Sequence, residues 1–279
     1  MASPLLSPEQ LRARLGELVV LDARPDPDAY AAGHLPEARH ADLDRDLSTA
    51  RREGHDPAQG GRHPLPSAAE FARQLGAWGI GPTDDVVVYD AAGGANAAAR
   101  LWWMLRSIGH AGVQVLDGGL AGAVAAGLAV DTRAPRVIAV ADHPQHGWAW
   151  PTVDAEVVDA RRASPAWRVL DVRSGERFRG ETEPFDPIAG HIPGARNLPF
   201  AENLGKDGRF KPAAELRARY EELLAGAAPS TLTVHCGSGV TACHTLLALE
   251  LAGLPGAALY VGSWSEWCRS ARPQATGPA

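Results

Sequence analysis

Cysteine is scarce in this sequence, and its scarcity excludes several classes of protein. Three cysteines occur among 279 residues, a number that is too small, and odd, for a disulfide framework. A reducing cytoplasm is therefore the expected compartment. No CxxC pair and no Cys/His group has the spacing of a zinc site, and no GxGxxG or P-loop motif follows a strand pattern. We expect neither a metal nor a cofactor.

Long apolar runs and an excess of positive charge are also missing. No apolar stretch approaches the roughly 18 residues of a membrane-spanning helix, and the N-terminus lacks the basic start and apolar run of a secretory signal. The 33 acidic residues outnumber the 27 Lys and Arg residues, which gives a formal net charge of −6. This balance argues against a nucleic acid or a membrane surface as a partner.

The sequence does contain an internal repeat. "VVLDARPDPDAYAAGHLPEARHADL" begins at Val19, and "RVLDVRSGERFRGETEPFDPIAGHIPGARNLPF" begins at Arg168. Both stretches contain an apolar strand pattern, Leu-Asp-x-Arg, a variable segment and Gly-His-apolar-Pro. The Asp, Arg and His residues of this pattern recur in both copies, so we interpret them as structural. We expect Asp and Arg to form hydrogen bonds at the strand ends, and His to form a hydrogen bond with a loop backbone. The matched pairs are Asp22 with Asp171, Arg24 with Arg173, and His34 with His191.

A second pair of stretches extends the repeat. "DDVVVYDAAGGANAAARLWWMLRSIG" matches "STLTVHCGSGVTACHTLLALELAG", which aligns Asp90 with Cys236. Each combines a short β-branched run, typical of a buried parallel strand, with a helical pattern that ends in glycine. Alternating strands and helices predict parallel βαβ units. We therefore expect an α/β protein with two tandem domains, each a parallel β-sheet flanked by helices: residues 1–130, a linker over 131–151, and residues 152–279.

Cys236 lies where the strand pattern of residues 232–235 ends, before a helix that begins near Val240–Thr241. In open parallel sheets, ligands bind beyond the carboxyl ends of the strands. Gly237 and Gly239 allow the backbone to curl tightly, and amides in such a curl, together with a helix N-terminus, form a cradle for an anion. The cradle favours the thiolate form, so we predict a reactive nucleophile rather than a buried structural cysteine.

Other interpretations of the cysteines are weaker. Cys243 lies in the helix body and Cys268 has no comparable loop, so packing is predicted for both, with a resolving thiol as the alternative. A cysteine phosphatase requires Cys-x5-Arg, but Ala242 occupies the arginine position, which leaves no loop guanidinium for a phosphate. A cysteine protease requires a histidine base. His235 should point to the opposite face of its strand, and His244 lies along the helix.

Two tandem copies and the stretches "GHIPGARNLPF", "CGSGVTA" and "LYVGSWSEW" resemble the two-domain rhodanese-like sulfurtransferases over nearly the whole chain. The loop is similar to that of the 3-mercaptopyruvate branch, whereas the thiosulfate branch typically carries basic residues there. The resemblance implies two rhodanese-like domains and a persulfide on Cys236. The sulfane sulfur would come from 3-mercaptopyruvate or thiosulfate and pass to a thiol, cyanide or a thioredoxin-like acceptor, with ping-pong kinetics.

The resemblance also implies roles for individual residues of the second copy. Arg177 stands where the family has its first donor-binding arginine. The position of the second holds Asp186, whose carboxylate would repel an anionic donor, and Arg179 is the candidate replacement. The loop amides would hold the persulfide, and the Ser238 hydroxyl would also bond the donor; the loop residues are Gly237, Ser238, Gly239, Val240 and Thr241.

The first copy is predicted to be non-catalytic. Asp90 cannot carry a persulfide. Its loop is also longer than that of Cys236, so we expect the first loop to have lost the anion-binding cradle of amides. The mercaptopyruvate branch has a histidine of the N-terminal domain as a proposed proton relay, and His34 is the candidate here. The segment with Trp264, Glu266 and Trp267 matches the family's post-loop segment and is expected to form a pocket edge near the thiolate.

A different class of function stays open. The protein could be a non-enzymatic persulfide carrier or redox-sensing module that delivers sulfur to a protein partner. That hypothesis predicts slow turnover with small acceptors and fast transfer to one specific protein. The sequence also leaves the donor open between 3-mercaptopyruvate and thiosulfate.

Overall fold

The computed structural model describes residues 3–278, which form two compact α/β units. The first unit contains these elements: β1 Leu5–Leu6, α1 Pro8–Arg14, β2 Val19–Asp22, α2 Pro27–Ala32, β3 Arg39–His40, α3 Ala68–Ala77, β4 Val86–Tyr89, α4 Ala97–Ser107, β5 Val113–Leu116 and α5 Gly119–Ala125. The second unit contains β6 Thr152–Val153, α6 Ala155–Arg162, β7 Arg168–Asp171, α7 Gly175–Arg179, β8 Arg196–Asn197, α8 Ala213–Leu224, β9 Leu232–His235, α9 Thr241–Leu251, β10 Ala258–Tyr260 and α10 Ser263–Trp267.

Each unit is assembled from more than one segment of the chain. The first comprises the residues up to Ser48, Leu65–Ala149 and Lys206–Phe210. The second comprises Thr49–Pro64, Trp150–Gly205 and the residues from Lys211 onward. The domain bounds inferred from the repeat stay a prediction, and their outer ends, residues 1 and 279, lie outside the described residues. In addition, the segment 49–64 packs within the second unit.

The sheet of the first unit has the strand order β1-β5-β4-β2-β3, and all its neighbouring strands are parallel. All four residues of the central strand β4, Val86–Tyr89, are buried. Because helices cover both faces of a parallel sheet, such a strand is apolar throughout instead of alternating. The predicted strand at this position is confirmed.

The sheet of the second unit repeats this order as β6-β10-β9-β7-β8, again with only parallel pairs. The predicted α/β fold with two parallel sheets is therefore confirmed. The strand β9 is central and fully buried, as the sequence predicted for Leu232–His235. Cys236 thus emerges at the carboxyl edge of this sheet, where open parallel sheets bind ligands.

Helix α9 fixes the other end of the cysteine loop. Its residues 242–249 are all buried, and a helix that is apolar all round belongs to a protein core. The helix spans 11 residues. No helix within residues 3–278 is both long and apolar enough to cross a membrane.

The recurring Asp and Arg residues bond at the strand ends, as predicted. Arg173 forks onto the Asp171 carboxylate at 2.6 to 3.1 Å and also donates to the Gly190 carbonyl at 2.7 Å. This fork ties the end of β7 to the Gly-His segment. The first unit repeats the arrangement with Arg24, Asp22 and Gly33.

The recurring histidines bond loop backbones, which confirms their structural interpretation. His191 Nδ1 lies 2.8 Å from the Phe178 carbonyl oxygen. His34 Nδ1 lies 3.0 Å from the Tyr30 carbonyl oxygen, and its Nε2 lies 3.0 Å from that of Arg133. Both imidazoles therefore hold segments of backbone in place.

Trp264 and Trp267 belong to the core of the second unit. Both are 0% exposed and pack with Phe178. Their indole N–H groups donate to the carbonyls of Ile188 and Pro273, each at 2.9 Å, as buried tryptophans require. The expectation that these two rings form a pocket edge is wrong, because both are fully buried in the core cluster of the second unit.

Candidate active site

The segment that begins α10 holds Cys236 in place from both sides. The Cys236 amide donates to Ser263 Oγ at 3.2 Å, and the Cys236 carbonyl accepts from the Trp264 amide at 3.0 Å. The next carbonyl, of Gly237, accepts from the Ser265 amide at 2.9 Å. Ser263 has φ 54°, a left-handed conformation that costs a non-glycine residue about 1 kcal/mol. The surrounding hydrogen bonds maintain this strained position next to the thiol.

The loop from Gly237 to Thr241 is a tight curl. Gly239 has φ 74°, and a Cβ there would collide with the backbone carbonyl just after β10, so this position requires glycine. Helix α9 then begins with Val240 at its N-cap, and no side chain caps its first amides. Among the described residues, no protein acceptor takes the amide hydrogens of Gly237, Ser238, Val240 and Thr241. These amides and the positive end of α9 are available to an anion at this loop.

The equivalent loop of the first unit contains an anion of its own. The carboxylate of Asp90, which aligns with Cys236, accepts four backbone N–H groups at 2.8 to 3.2 Å, from Ala92, Gly94, Asn96 and Ala98. The expectation that the longer first loop had lost its cradle is wrong, because this loop closes on its own carboxylate. In that loop, the fold directs backbone amides at the side chain that follows the central strand.

Two guanidinium groups lie against the cysteine loop. A Cβ added to Gly237 would lie 3.1 Å from Arg62 Nη2 and 3.2 Å from Arg177 Nη2. Arg177 Nη2 donates to Glu183 Oε1 at 2.7 Å, which orients its side chain. The guanidiniums of Arg62 and Arg177 also flank the Phe185 ring, at 5.2 and 5.1 Å from its centroid. The loop amides and these two cations form a site suited to an anionic ligand.

Asp186 is buried beside these arginines, with a side chain 0% exposed. Its Oδ1 accepts from Arg269 Nη1 at 2.8 Å. Its Oδ2 lies 3.7 Å from Arg62 Nη1 and 3.9 Å from Arg177 Nη2. The carboxylate is therefore compensated by three arginines, whereas the sequence interpretation assumed that it would simply repel a donor.

Ser238 and His63 form a second polar pair at the loop. His63 Nδ1 lies 2.8 Å from Ser238 Oγ, and Ser238 is buried. Which of the two donates depends on the tautomer of the imidazole. In either case the pair can pass a proton between the imidazole and a molecule that contacts the hydroxyl.

Two further candidates from the sequence lie in other surroundings. Arg179 Nε pairs with Glu181 Oε1 at 2.7 Å, and both side chains are exposed. Its role in donor binding stays a prediction. His34 belongs to the first unit, where both of its ring nitrogens face backbone carbonyls, and its role as a proton relay also stays a prediction.

The remaining cysteines are buried and packed, as predicted. Cys243 Sγ donates to the Gly239 carbonyl at 3.4 Å. Burial, followed by the nearby charge of Asp186, raises the pKa of the Cys268 thiol to about 11. All three cysteines of the chain are free thiols.

Sequence reasoning missed Arg62, His63, Ser263 and Arg269. Arg62 and His63 stand in "GGRHPLP", which precedes "SAAEF" as "DGRFKP" precedes "AAEL" in the second copy, so the repeat reaches the arginine but has no histidine opposite His63. The sequence signal that could have identified them as site residues is an adjacent Arg and His in a Gly/Pro-rich loop, since loops often carry binding residues. Ser263 and Arg269 had no local pattern, because their roles depend on contacts with distant segments.

Comparisons with known proteins agree with this fold and site. The Rhodanese-like domain model matches residues 7–126 and 154–270. A Pseudomonas aeruginosa protein named "Probable 3-mercaptopyruvate sulfurtransferase" is 48% identical over 287 residues, covering 99% of each chain. The "Thiosulfate sulfurtransferase" of Cricetulus griseus is 35% identical over 256 residues, covering 88% of this chain and 80% of that protein. The structure of the 3-mercaptopyruvate sulfurtransferase from Leishmania major matches with a TM-score of 0.80 at 31% identity, covering 95% of this chain and 74% of that one.

Two parallel α/β units, with a cysteine in a glycine-rich loop at the carboxyl edge of the second sheet, define a class of two-domain proteins built for thiol chemistry. The family match covers both units, and the relatives cover nearly the whole chain. The chain belongs to the rhodanese-like family, and it is a sulfurtransferase.

Proposed function

We propose that this protein transfers a sulfane sulfur atom through a persulfide on Cys236, with 3-mercaptopyruvate or thiosulfate as the donor. The main support is the comparison of the two equivalent loops. The Asp90 loop donates four amides to a carboxylate, whereas in the Cys236 loop the amides of residues 237, 238, 240 and 241 have no acceptor within the described part of the chain. A persulfide anion on Cys236 would supply the charge that such amides stabilise. The names of the relatives favour the same two donors.

In the first half-reaction, the Cys236 thiolate attacks the sulfur to be transferred, which is the thiol sulfur of 3-mercaptopyruvate or the outer sulfur of thiosulfate, and a new S–S bond forms. With 3-mercaptopyruvate, the C–S bond breaks, and its electron pair takes up a proton at carbon to give pyruvate. With thiosulfate, the donor's S–S bond breaks and its electron pair leaves with sulfite. Arg177 pairs with the anionic group of the donor, and the amides of residues 237–241 hold the persulfide charge.

Ser238 and His63 serve the mercaptopyruvate reaction in this proposal. The Ser238 hydroxyl bonds the donor carbonyl, and His63, 2.8 Å away, exchanges protons with that hydroxyl. The pair can thus supply the proton that the pyruvate carbon takes up. Thiosulfate cleavage requires no such proton.

In the second half-reaction, an acceptor attacks the outer sulfur of the persulfide, and the Cys236 thiolate leaves. We propose thiols, cyanide and thioredoxin-like proteins as acceptors. We also propose a cytoplasmic location, which three free thiols favour because reducing compartments preserve them.

Initial-rate kinetics with each donor, and with cyanide or a small thiol as acceptor, test this function. We expect the parallel double-reciprocal lines of a ping-pong reaction. Cys236→Ser should abolish transfer, and Cys243→Ser, which also removes a buried thiol, should retain it. Intersecting lines, or full transfer by Cys236→Ser, would contradict the proposal.

A further inference from the structure

The charged side chains around Gly237 form one connected network of ion pairs. Each member has an opposite charge within 3.9 Å, and no member side chain is more than 22% exposed. The network contains four arginines and three carboxylates: Arg62, Arg173, Arg177, Arg269, Asp171, Glu183 and Asp186.

The side chains of this network carry a single surplus positive charge before the charge of the Cys236 thiolate is added. His235 lies 3.9 Å from Asp171, but burial lowers the pKa of this histidine, so it is neutral at pH 7 and adds no charge. Because the network is largely shielded from water, its surplus charge acts strongly on an anion bound at the loop. Two of its cations, Arg62 and Arg177, lie against Gly237, next to Cys236.

The two donors of the proposed function differ in charge. The mercaptopyruvate carboxylate carries one negative charge, and thiosulfate carries two. We infer that Asp186 is a specificity-determining residue, which keeps the surplus at one positive charge and thereby favours the monoanionic donor, and that Arg62 binds the donor beside Arg177. This inference rests on the proposed function, which supplies the two donors.

The contacts of Asp186 allow its charge to be removed with little change in shape. Oδ1 accepts the short hydrogen bond from Arg269, and Oδ2 has no hydrogen-bond partner among the described residues. Asparagine can keep the Oδ1 bond. Asp186→Asn therefore raises the surplus to two positive charges and leaves Arg269 its acceptor.

Equilibrium binding tests the inference without requiring sulfur transfer. In a Cys236→Ser background, calorimetry would compare thiosulfate, the dianion, with pyruvate, a monoanion shaped like the proposed product. Asp186→Asn should shift the ratio of the two affinities at least about tenfold toward thiosulfate, because a dianion gains more from an added positive charge. In the enzyme with Cys236 intact, the ratio of kcat/KM for thiosulfate and 3-mercaptopyruvate should shift the same way. An equal change for both ligands, or weaker thiosulfate binding, would overturn the inference.

Arg62 provides an independent variant, because its side chain is partly exposed and tolerates substitution better than a fully buried one. Arg62→Gln should weaken thiosulfate more than pyruvate, and Arg62→Lys should restore the original ratio. Arg217→Gln removes an exposed arginine paired with Glu221 and should leave the ratio unchanged. An unchanged ratio in Arg62→Gln would overturn the inference. Failure of the proposed function would instead appear as sulfur transfer that persists in Cys236→Ser, while the binding ratios could still shift.

Discussion

At the scale of single residues, one position determines what each loop does. The residue after the central strand is Asp90 in the first unit, where the amides are satisfied by a carboxylate. It is Cys236 in the second unit, where no acceptor among the described residues takes the amides of Gly237, Ser238, Val240 and Thr241. This difference leads to two predictions about reactivity at the second loop.

The first concerns the selectivity of thiol modification. Because the pKa of Cys268 is about 11, only about one in a thousand of its thiols is ionised at pH 8, and the thiolate is the reactive form. Iodoacetamide should therefore modify Cys236, which lies beside the loop amides and Arg177, faster than Cys268, and saturating thiosulfate should protect Cys236. Peptide mass spectrometry over time measures both rates, and equal rates would refute this prediction.

The second concerns the two donors. Ser238→Ala removes the hydroxyl that lies 2.8 Å from His63 Nδ1. Since only 3-mercaptopyruvate cleavage needs a proton at carbon, kcat/KM should fall by about 100-fold for this donor and by less than tenfold for thiosulfate. Steady-state kinetics with a common acceptor provide the comparison. A uniform loss would indicate that Ser238 only shapes the loop.

At the scale of elements, the sequence predicted the central strand, the loop and the start of α9, because each carries a local pattern. The apolar run of β9, the two glycines and the apolar helix are adjacent in the chain. The segment 49–64 was not predicted to join the site, since its role depends on contacts with residues far along the chain. Arg62, for example, reaches Gly237 from a distant part of the chain, which no local pattern reveals.

The element-scale prediction concerns the curl at Gly239. Gly239→Ala places a Cβ at φ 74° and against a backbone carbonyl. Gly208 has the same φ of 74° with no atom within 4 Å of its added Cβ, so Gly208→Ala isolates the cost of the dihedral, about 1 kcal/mol. Gly239→Ala should lower both the melting temperature and the transfer rate clearly more than Gly208→Ala. Equal effects would show that the close approach of the loop to β10 does not matter.

At the scale of the whole molecule, the duplication was evident from the sequence because the strand and helix patterns recur in the same order. The bounds of the compact units were harder to predict from the sequence, because short segments such as 206–210 pack away from their sequence neighbours.

Each unit also buries a histidine in an environment that is unfavourable for its charged form. Burial lowers the pKa of His235, and burial together with His143, 3.1 Å away, lowers the pKa of His110.

These lowered pKa values predict how stability depends on pH. Below the ordinary pKa of about 6.5, the unfolded chain binds protons that the folded histidines do not, so the free energy of unfolding should decrease as the pH falls through that value. Urea unfolding followed by tryptophan fluorescence at pH 7.5 and 5.5 measures the decrease. His110→Gln should make it smaller. A midpoint that is the same at both pH values would contradict this assignment.

The most direct measurement of the central claim is the mass of the Cys236 peptide after reaction with donor alone. The account predicts a gain of one sulfur atom on this peptide with at least one of the two donors, none on the peptides of Cys243 and Cys268, and loss of that sulfur when cyanide is added. A peptide whose mass does not change with either donor, in protein that still transfers sulfur, would contradict the account.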